Sequence, residues 1–326
     1  MPIIDKPGIY DITSPVYHAD PCPVPSLSAS IAKVLDDKSP LHAWAGHPRL
    51  GMTEDEDEGD AKRFDLGTAA HAVILGSDDE IVLLDPERFP SKTGSIPKGY
   101  TNDAIREARD AAYAAGKTPV LPKQMTQVKG MASSVLAQLE RNPEMKGWRE
   151  DGKPEQTLIW EEGGVWCRSR LDWMPNDSRR VFLDLKTTET SVNPEVISRY
   201  AMQMQWAIQQ AFYTRGLKAL DITDKPKFRF IAVESKPPYA VTVCGLPPEW
   251  ISFAEGQVES AIRLWRKCME ANDWPGYPSD TVWIEPPTWA FTRIQERGLR
   301  DPMFKPKPSS GALAQAAKAQ APLDRR

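Results

Sequence analysis

From about Thr157 to Thr188 the chain reads TLIWEE, then VWCRSRLDWM, then RRVFLDLKTT, with apolar residues at every second position. A period of two is the signature of half-buried strands, and Pro175-Asn-Asp-Ser178 between the last two runs is a turn, so this stretch must fold as an antiparallel sheet. Within the hairpin Val165–Thr188, alternation places Arg168, Arg170 and Asp172 on one face of one strand, and Asp184 and Lys186 on one face of the next. Folding about residues 176–179 sets Asp172 opposite Asp184, while Leu171, Leu183 and Leu185 are expected to enter the core on the other side. Two carboxylates a few ångströms apart repel and raise each other's pKa unless a divalent cation lies between them. Lys186 then stands where an ammonium would orient a water or meet charge developing on a phosphoryl oxygen.

Around this sheet the pattern is helical. Ser26-Leu-Ser-Ala-Ser30 opens a helix that Ser26 or Ser28 can cap, and Pro40 ends it or begins the next. Phe64 to Leu75 carries small and apolar residues at helical spacing, which describes a buried helix, with Gly67 admitting another chain segment closely. Helices are expected from about Asn102 to Ala115, Pro122 to Arg141, Pro194 to Arg215 and Pro248 to Glu270, with strands at Lys227–Ser235 and Tyr239–Leu246. The layout is α/β or α+β. Residues 1–25, rich in Pro, read as an extended arm; 26–290 as one elaborated domain; and 291–326 as an irregular, disordered tail with nothing to bury. The acidic run Glu54–Asp60 reads as a solvated loop.

Composition removes several classes. With 40% hydrophobic and 26% charged residues among 326, wholesale disorder is excluded. No apolar stretch approaches the ~20 residues that span a bilayer, and the first residues lack the pattern of a secretory leader, so a cytoplasmic protein is expected. Cys22, Cys167, Cys244 and Cys268 are scattered without metal-site or disulfide spacing. A net charge of -4 argues against a uniformly basic nucleic-acid coat, but not against one basic groove. Gly116-Lys117-Thr118 lacks the earlier glycine of a phosphate-binding loop, because Ala111 stands there, so ATP-driven chemistry is not expected.

Taken singly, the remaining features are ordinary. An Asp-x-Lys on a strand is commonly a solvent-side ion pair. His71 on an apolar helix is commonly a satisfied core histidine. Gln205, Gln209 and Tyr213 at i, i+4 and i+8 beside Met204, Ile208, Ala211 and Phe212 describe an amphipathic helix. Their joint order is not ordinary. Gly67-Thr-Ala-Ala-His71, then Asp172, then Asp184-Leu-Lys186, then Gln209-Gln-Ala-Phe-Tyr213 resembles the G-x-x-x-H, D, D/E-x-K and Q-x-x-x-Y series of the PD-(D/E)xK nucleases of the RecB type, within which the RecE (exodeoxyribonuclease VIII) nuclease domain and its phage-borne relatives are most similar. Ser26-Leu-Ser-Ala-Ser30 with the later Ser39-Pro, Glu107–Lys117 and Gln209–Gly216 extend the likeness, which covers about residues 25–270.

The resemblance implies a restriction-endonuclease-like core, a mixed central sheet with an antiparallel catalytic hairpin flanked by helices. It implies a Mg²⁺- or Mn²⁺-dependent exodeoxyribonuclease that degrades linear duplex DNA from 5′ ends, leaving 3′ overhangs, beside a RecT-like single-strand annealing protein and in a ring-shaped homo-oligomer. Carried over, His71, Asp172 and Asp184 hold the metal with the Leu185 carbonyl as an extra ligand, Lys186 handles the water, and Gln209 and Tyr213 position the reacting groups. Glu155 is a candidate additional acid, and Ser28, Ser30, Arg63 and Arg170 are candidates for a DNA 5′-phosphate. Relatives with an iron-sulfur cluster carry a C-terminal cysteine group, of which only Cys268 lies near the end here, so no cluster is expected. The alternatives are a non-catalytic DNA- or partner-binding module of the same fold, and a nuclease with endonucleolytic or single-strand preference.

Overall fold

The computed structural model describes residues 3–51, 58–77, 80–91, 94–301 and 303–304, with the backbone alone for 58–64. Met1–Gly276 form one compact unit and Tyr277–Arg326 a second. In the first, the strands are β1 (Gly8–Tyr10), β2 (Leu27–Ser28), β3 (Ile81–Leu83), β4 (Thr118–Val120), β5 (Gly152–Glu162), β6 (Val165–Pro175), β7 (Val181–Thr188), β8 (Lys227–Glu234) and β9 (Val241–Cys244). Its helices are α1 (Ser14–His18), α2 (Ala29–Asp37), α3 (Pro40–Ala45), α4 (Glu58–His71), α5 (Asp103–Ala114), α6 (Pro122–Arg141), α7 (Pro194–Gln203), α8 (Trp206–Ala219) and α9 (Pro248–Ala271).

The main sheet runs β1-β5-β6-β7-β8-β9, antiparallel except that β7 and β8 are parallel, and β2 adds to β6 in parallel. It is the mixed sheet flanked by helices that the sequence implied. The parallel pair requires a crossover, and α7 and α8 supply it. One face packs Phe182, Phe228, Phe230 and Trp160 against α2, α8 and α9, while the other packs Leu183, Leu185, Ile231 and Val233 against α4 and α6. Each such buried side chain contributes about 1.5–3 kcal/mol, so both layers are fixed by apolar burial and the charged residues between them are free to serve another purpose.

A strand has two edges. β5 takes one edge of β6 along its whole length, so β2, paired at Cys167 and Arg168, and β7, paired at Trp173, share the other. The sheet therefore forks at Asp172. This corrects the simple alternation: Leu171 packs in the core with Trp160 and Phe212, whereas Trp173, Leu183 and Leu185 lie in the opposite one, because the side-chain pattern of β6 is interrupted at the fork.

Other expectations change in detail. The arm does contribute a strand, β1, to β5, and Tyr17, Asp20 and Cys22 are buried. Ser28, not Ser26, caps α2, accepting the Ile31 N–H at 3.3 Å, and Pro40 opens α3. The expected single helix 194–215 is two, broken where Gln205 takes φ 52°, a left-handed turn in a non-glycine residue. In the second unit α10 (Thr288–Arg300) is helical where an irregular chain was expected, beginning just after Pro286-Pro287, and the Arg297 guanidinium lies over the Phe304 ring at 4.6 Å. The low-complexity run at residues 305–326 and most of the acidic run lie outside the described residues. Among the described residues no helix is long and apolar enough to cross a membrane.

Candidate active site

The fork opens a cavity of about 660 Å³ lined by Ser30 and Lys33 of α2, Gly67, Thr68 and His71 of α4, Glu155, Arg170 and Asp172 of the hairpin, Lys186 and Thr187 of β7, and Gln209 and Tyr213 of α8. Ser14, Tyr17 and His18 of α1 close one side. Helix α4 packs on β7 at Gly67, where a Cβ would sit 3.4 Å from the Thr187 hydroxyl, in ordinary van der Waals contact. That packing presents His71 to the strands.

His71 Nδ1 lies 3.5 Å from Asp172 Oδ2 and 3.9 Å from Glu155 Oε1, and one ligand atom from each of the three falls within 4.8 Å of the others. Glu155 would pair with Asp172 by register, since Pro154↔Trp173 and Gln156↔Leu171 flank that position. Instead it adopts φ 54°, a left-handed turn that leaves this pair unformed while the register is kept on both sides, and its carboxylate lies near the histidine. Arg170 donates to Glu155 Oε2 at 2.6 Å and to the Ile12 carbonyl. Asp172 accepts the Leu185 N–H at 2.6 Å, which locks β7 to the hairpin beside the fork.

Asp184 is 1% exposed and is held on one side by Lys186 and on the other by the Gln209 amide. Gln209 Oε1 in turn accepts from Lys186 at 3.2 Å and from Lys33 at 3.1 Å, and its Nε2 lies 3.3 Å from the Tyr213 hydroxyl. The structure therefore gathers His71, Asp172, Asp184, Lys186, Gln209, Tyr213 and Glu155 in one place. It separates two clusters, His71–Glu155–Asp172 and Asp184–Lys186–Gln209, with Asp172 opposite Asp184.

The electrostatics follow from burial and charge. Burial and then Asp184 push Asp172 up to about 7. Burial opposes charge on His71, but Asp172 and Glu155 outweigh it and hold the imidazole up at about 9. Glu155 sits below its ordinary value because His71 and Arg170 outweigh its burial. Lys186 is half-buried, which opposes its charge, yet Asp184 and Asp172 raise it, so it stays an ammonium at neutral pH. Acidic oxygens plus one imidazole are donors for a hard or borderline divalent cation, and a cation there removes the repulsion that lifts Asp172. The residues fit such an ion.

Among the phosphate candidates, Ser30 and Arg170 line the cavity, whereas Ser28 is spent on capping α2, and the Arg63 side chain lies outside the described residues. Gln205, on the same flank as Gln209 in a continuous helix, bonds to Asp36 instead, at 3.0 Å, because the helix breaks there. Lys33, Tyr17, His18 and Thr187 also line the site and were not anticipated. For Lys33 the available signal was its i+3 spacing from Ser30 on α2.

No curated protein matches this sequence. Among solved structures, a protein from Eubacterium rectale described as a "Putative exonuclease" superposes with a TM-score of 0.52 at 13% identity, covering 87% of this chain and 98% of its own, which shows a shared fold. The crystal structure of SSO0001 aligns at 15% identity over 68% of this chain and 96% of its own, with a TM-score of 0.23. Residues 30–282 match the family described as PDDEXK-like domain of unknown function (DUF3799), and these residues hold His71, the acidic pair and the Asp184-Leu-Lys186 segment: the chain belongs to that PDDEXK-like family.

Proposed function

We propose that the protein is a divalent-metal-dependent exodeoxyribonuclease acting on linear duplex DNA, 5′ to 3′, in strand-annealing recombination of the phage type. The observation that carries the nuclease reading is the convergence of His71, Asp172 and Lys186, far apart in the chain, on one cavity, with the buried Asp184 held against Lys186 behind its wall. A structural sheet gains nothing from a buried carboxylate pair, since desolvation and mutual repulsion both oppose it.

His71, Asp172 and Glu155 would hold the cation, with Asp184 and the Leu185 carbonyl facing the same fork from β7. When bound it supplies Lewis acidity to a phosphoryl oxygen and lowers the pKa of water. Lys186 acts as donor and not base, because Asp184 and Asp172 keep it protonated. Its ammonium aligns the attacking water and meets charge on the phosphoryl group. Gln209 fixes both Lys186 and Asp184, and Tyr213, whose phenol is held neutral by burial, stands behind Gln209 as a further polar contact. Attack forms a P–O bond from water and breaks the bond to the 3′-oxygen on the opposite side. Ser30 and Arg170 line the cavity beside this position and suit a terminal phosphate.

The likeness to RecE-type domains supports the polarity, the ring-shaped homo-oligomer and a RecT-like annealing partner in the cytoplasm. The test is digestion of linear duplex labelled at one 5′ end, with closed circular plasmid as control. Label release from the linear duplex and an intact closed circular plasmid, both with added Mg²⁺ or Mn²⁺, and loss of activity in Asp184→Ala and Lys186→Ala are expected. Retained cleavage in folded Asp184→Ala overturns the reading. Metal-independent DNA binding without nucleotide release would make the protein a binding module.

A further inference from the structure

Two ammonium groups from different elements meet one oxygen. Lys186 of β7 and Lys33 of α2 lie 3.2 Å and 3.1 Å from Gln209 Oε1. Lys186 is compensated by Asp184. Lys33 is not: among the described residues it has no carboxylate within ion-pair distance, and its side chain is half-buried in the cavity wall. Burial, then Lys186, hold its pKa down at about 7. An ammonium kept in such a place without a counter-ion is costly for folding alone. A neutral amide oxygen is a weak partner for two cations, whereas a phosphate oxygen is a strong one.

Resting on the nuclease reading, we infer that Lys33 contacts the scissile phosphate directly, forming with Lys186 a two-ammonium clamp in which the Gln209 carbonyl oxygen marks the acceptor position that a phosphoryl oxygen takes when DNA binds. The fork explains the placement. β2 leaves the shared edge of β6 just before Asp172, so α2 begins at the mouth of the fork, and its first turns carry Ser30 and Lys33 over the site. The clamp grips non-bridging oxygens from the helix side while the acidic cluster stands on the strand side.

The experiment measures cleavage of a short linear duplex by the full chain over a range of salt concentrations, comparing wild type, Lys33→Met and Lys33→Gln. Methionine matches the length and removes a disfavoured charge, so folding is retained. Lys33→Met is expected to raise the half-saturating DNA concentration about tenfold or more, the value of one charge-assisted contact, and to flatten the log–log salt dependence by about one. Lys33→Gln, which keeps a donor toward Gln209 without the charge, is expected to behave like Lys33→Met. Wild-type behaviour of Lys33→Gln, or an unchanged salt slope in both variants, would mean that Lys33 only positions Gln209 and would overturn the assignment while leaving the nuclease reading intact. A wild type without cleavage would sink both.

Discussion

Replacing Asp172 by Asn tests whether the acidic cluster is built for a cation. In the metal-free protein, burial and Asp184 raise Asp172 from an ordinary carboxylate value of 3.8 to about 7. A raised acid favours folding while protonated, and the advantage is lost as pH climbs from about 4 through about 7. Above that window the ionised group costs about 4 kcal/mol, at about 1.4 kcal/mol per pH unit. Asn is spared this cost and still accepts the Leu185 N–H. That cost is net of the attraction to His71, which offsets part of the effect of burial and Asp184. The balance predicts that metal-free Asp172→Asn is more stable than wild type by about 4 kcal/mol at about pH 8, on the order of 5–10 °C in Tm. Adding Mn²⁺ narrows the gap, since ligand at a hundredfold its Kd stabilises wild type by about 3 kcal/mol and the variant far less. Thermal denaturation in EDTA and in Mn²⁺ measures both. A variant several kcal/mol less stable in EDTA, as when a favourable buried ion pair is broken, or an undiminished Mn²⁺ shift, would refute the reasoning.

Away from the site, buried Asp20 meets Arg168 at 3.2 Å, His47 at 3.3 Å and the Ser26 hydroxyl at 2.7 Å. Burial resists its charge, yet these partners hold it down at about 2, so about 2 kcal/mol of stability, present above about pH 4, is lost as pH falls toward 2. Asp20→Ala, by leaving Arg168 buried and unpaired, is expected to cost about 3–5 kcal/mol in urea titrations, and a loss below about 1 would contradict this. At Gly216 of α8 an added Cβ would fall 2.8 Å from the buried Trp160 ring, so Gly216→Val should destabilise by about 1–3 kcal/mol despite the better helix former. EDTA is expected to stop cleavage and excess Mn²⁺ to restore it, read by nucleotide release.

The period-two run carried the fold, because alternation between two cores leaves a direct trace in β7, where Val181, Leu183 and Leu185 face one way and Phe182 the other. His71, Asp172, Asp184, Lys186, Gln209 and Tyr213 were legible through their order along the chain. Glu155 was only loosely placed, since a left-handed glutamate inside a strand has no sequence signature. The same holds for the break at Gln205, where neither Gly nor Pro marks the turn. For Lys33 the only trace was its spacing from Ser30, and the Asp20–Arg168 pair left none, because their meaning lies in contacts spanning 176 and more than 100 residues of chain. Alternation also hid the fork, which arises from β2 taking an edge of β6 rather than from any residue of β6.

The most direct measurement is anomalous diffraction from crystals grown with Mn²⁺. A single strong peak within coordination distance of His71 Nδ1, Asp172 and Glu155, facing Asp184 across the fork, is the expected result. A peak elsewhere, or an ordered site at saturating Mn²⁺ with none, would contradict the claim that these side chains converge to bind a catalytic cation.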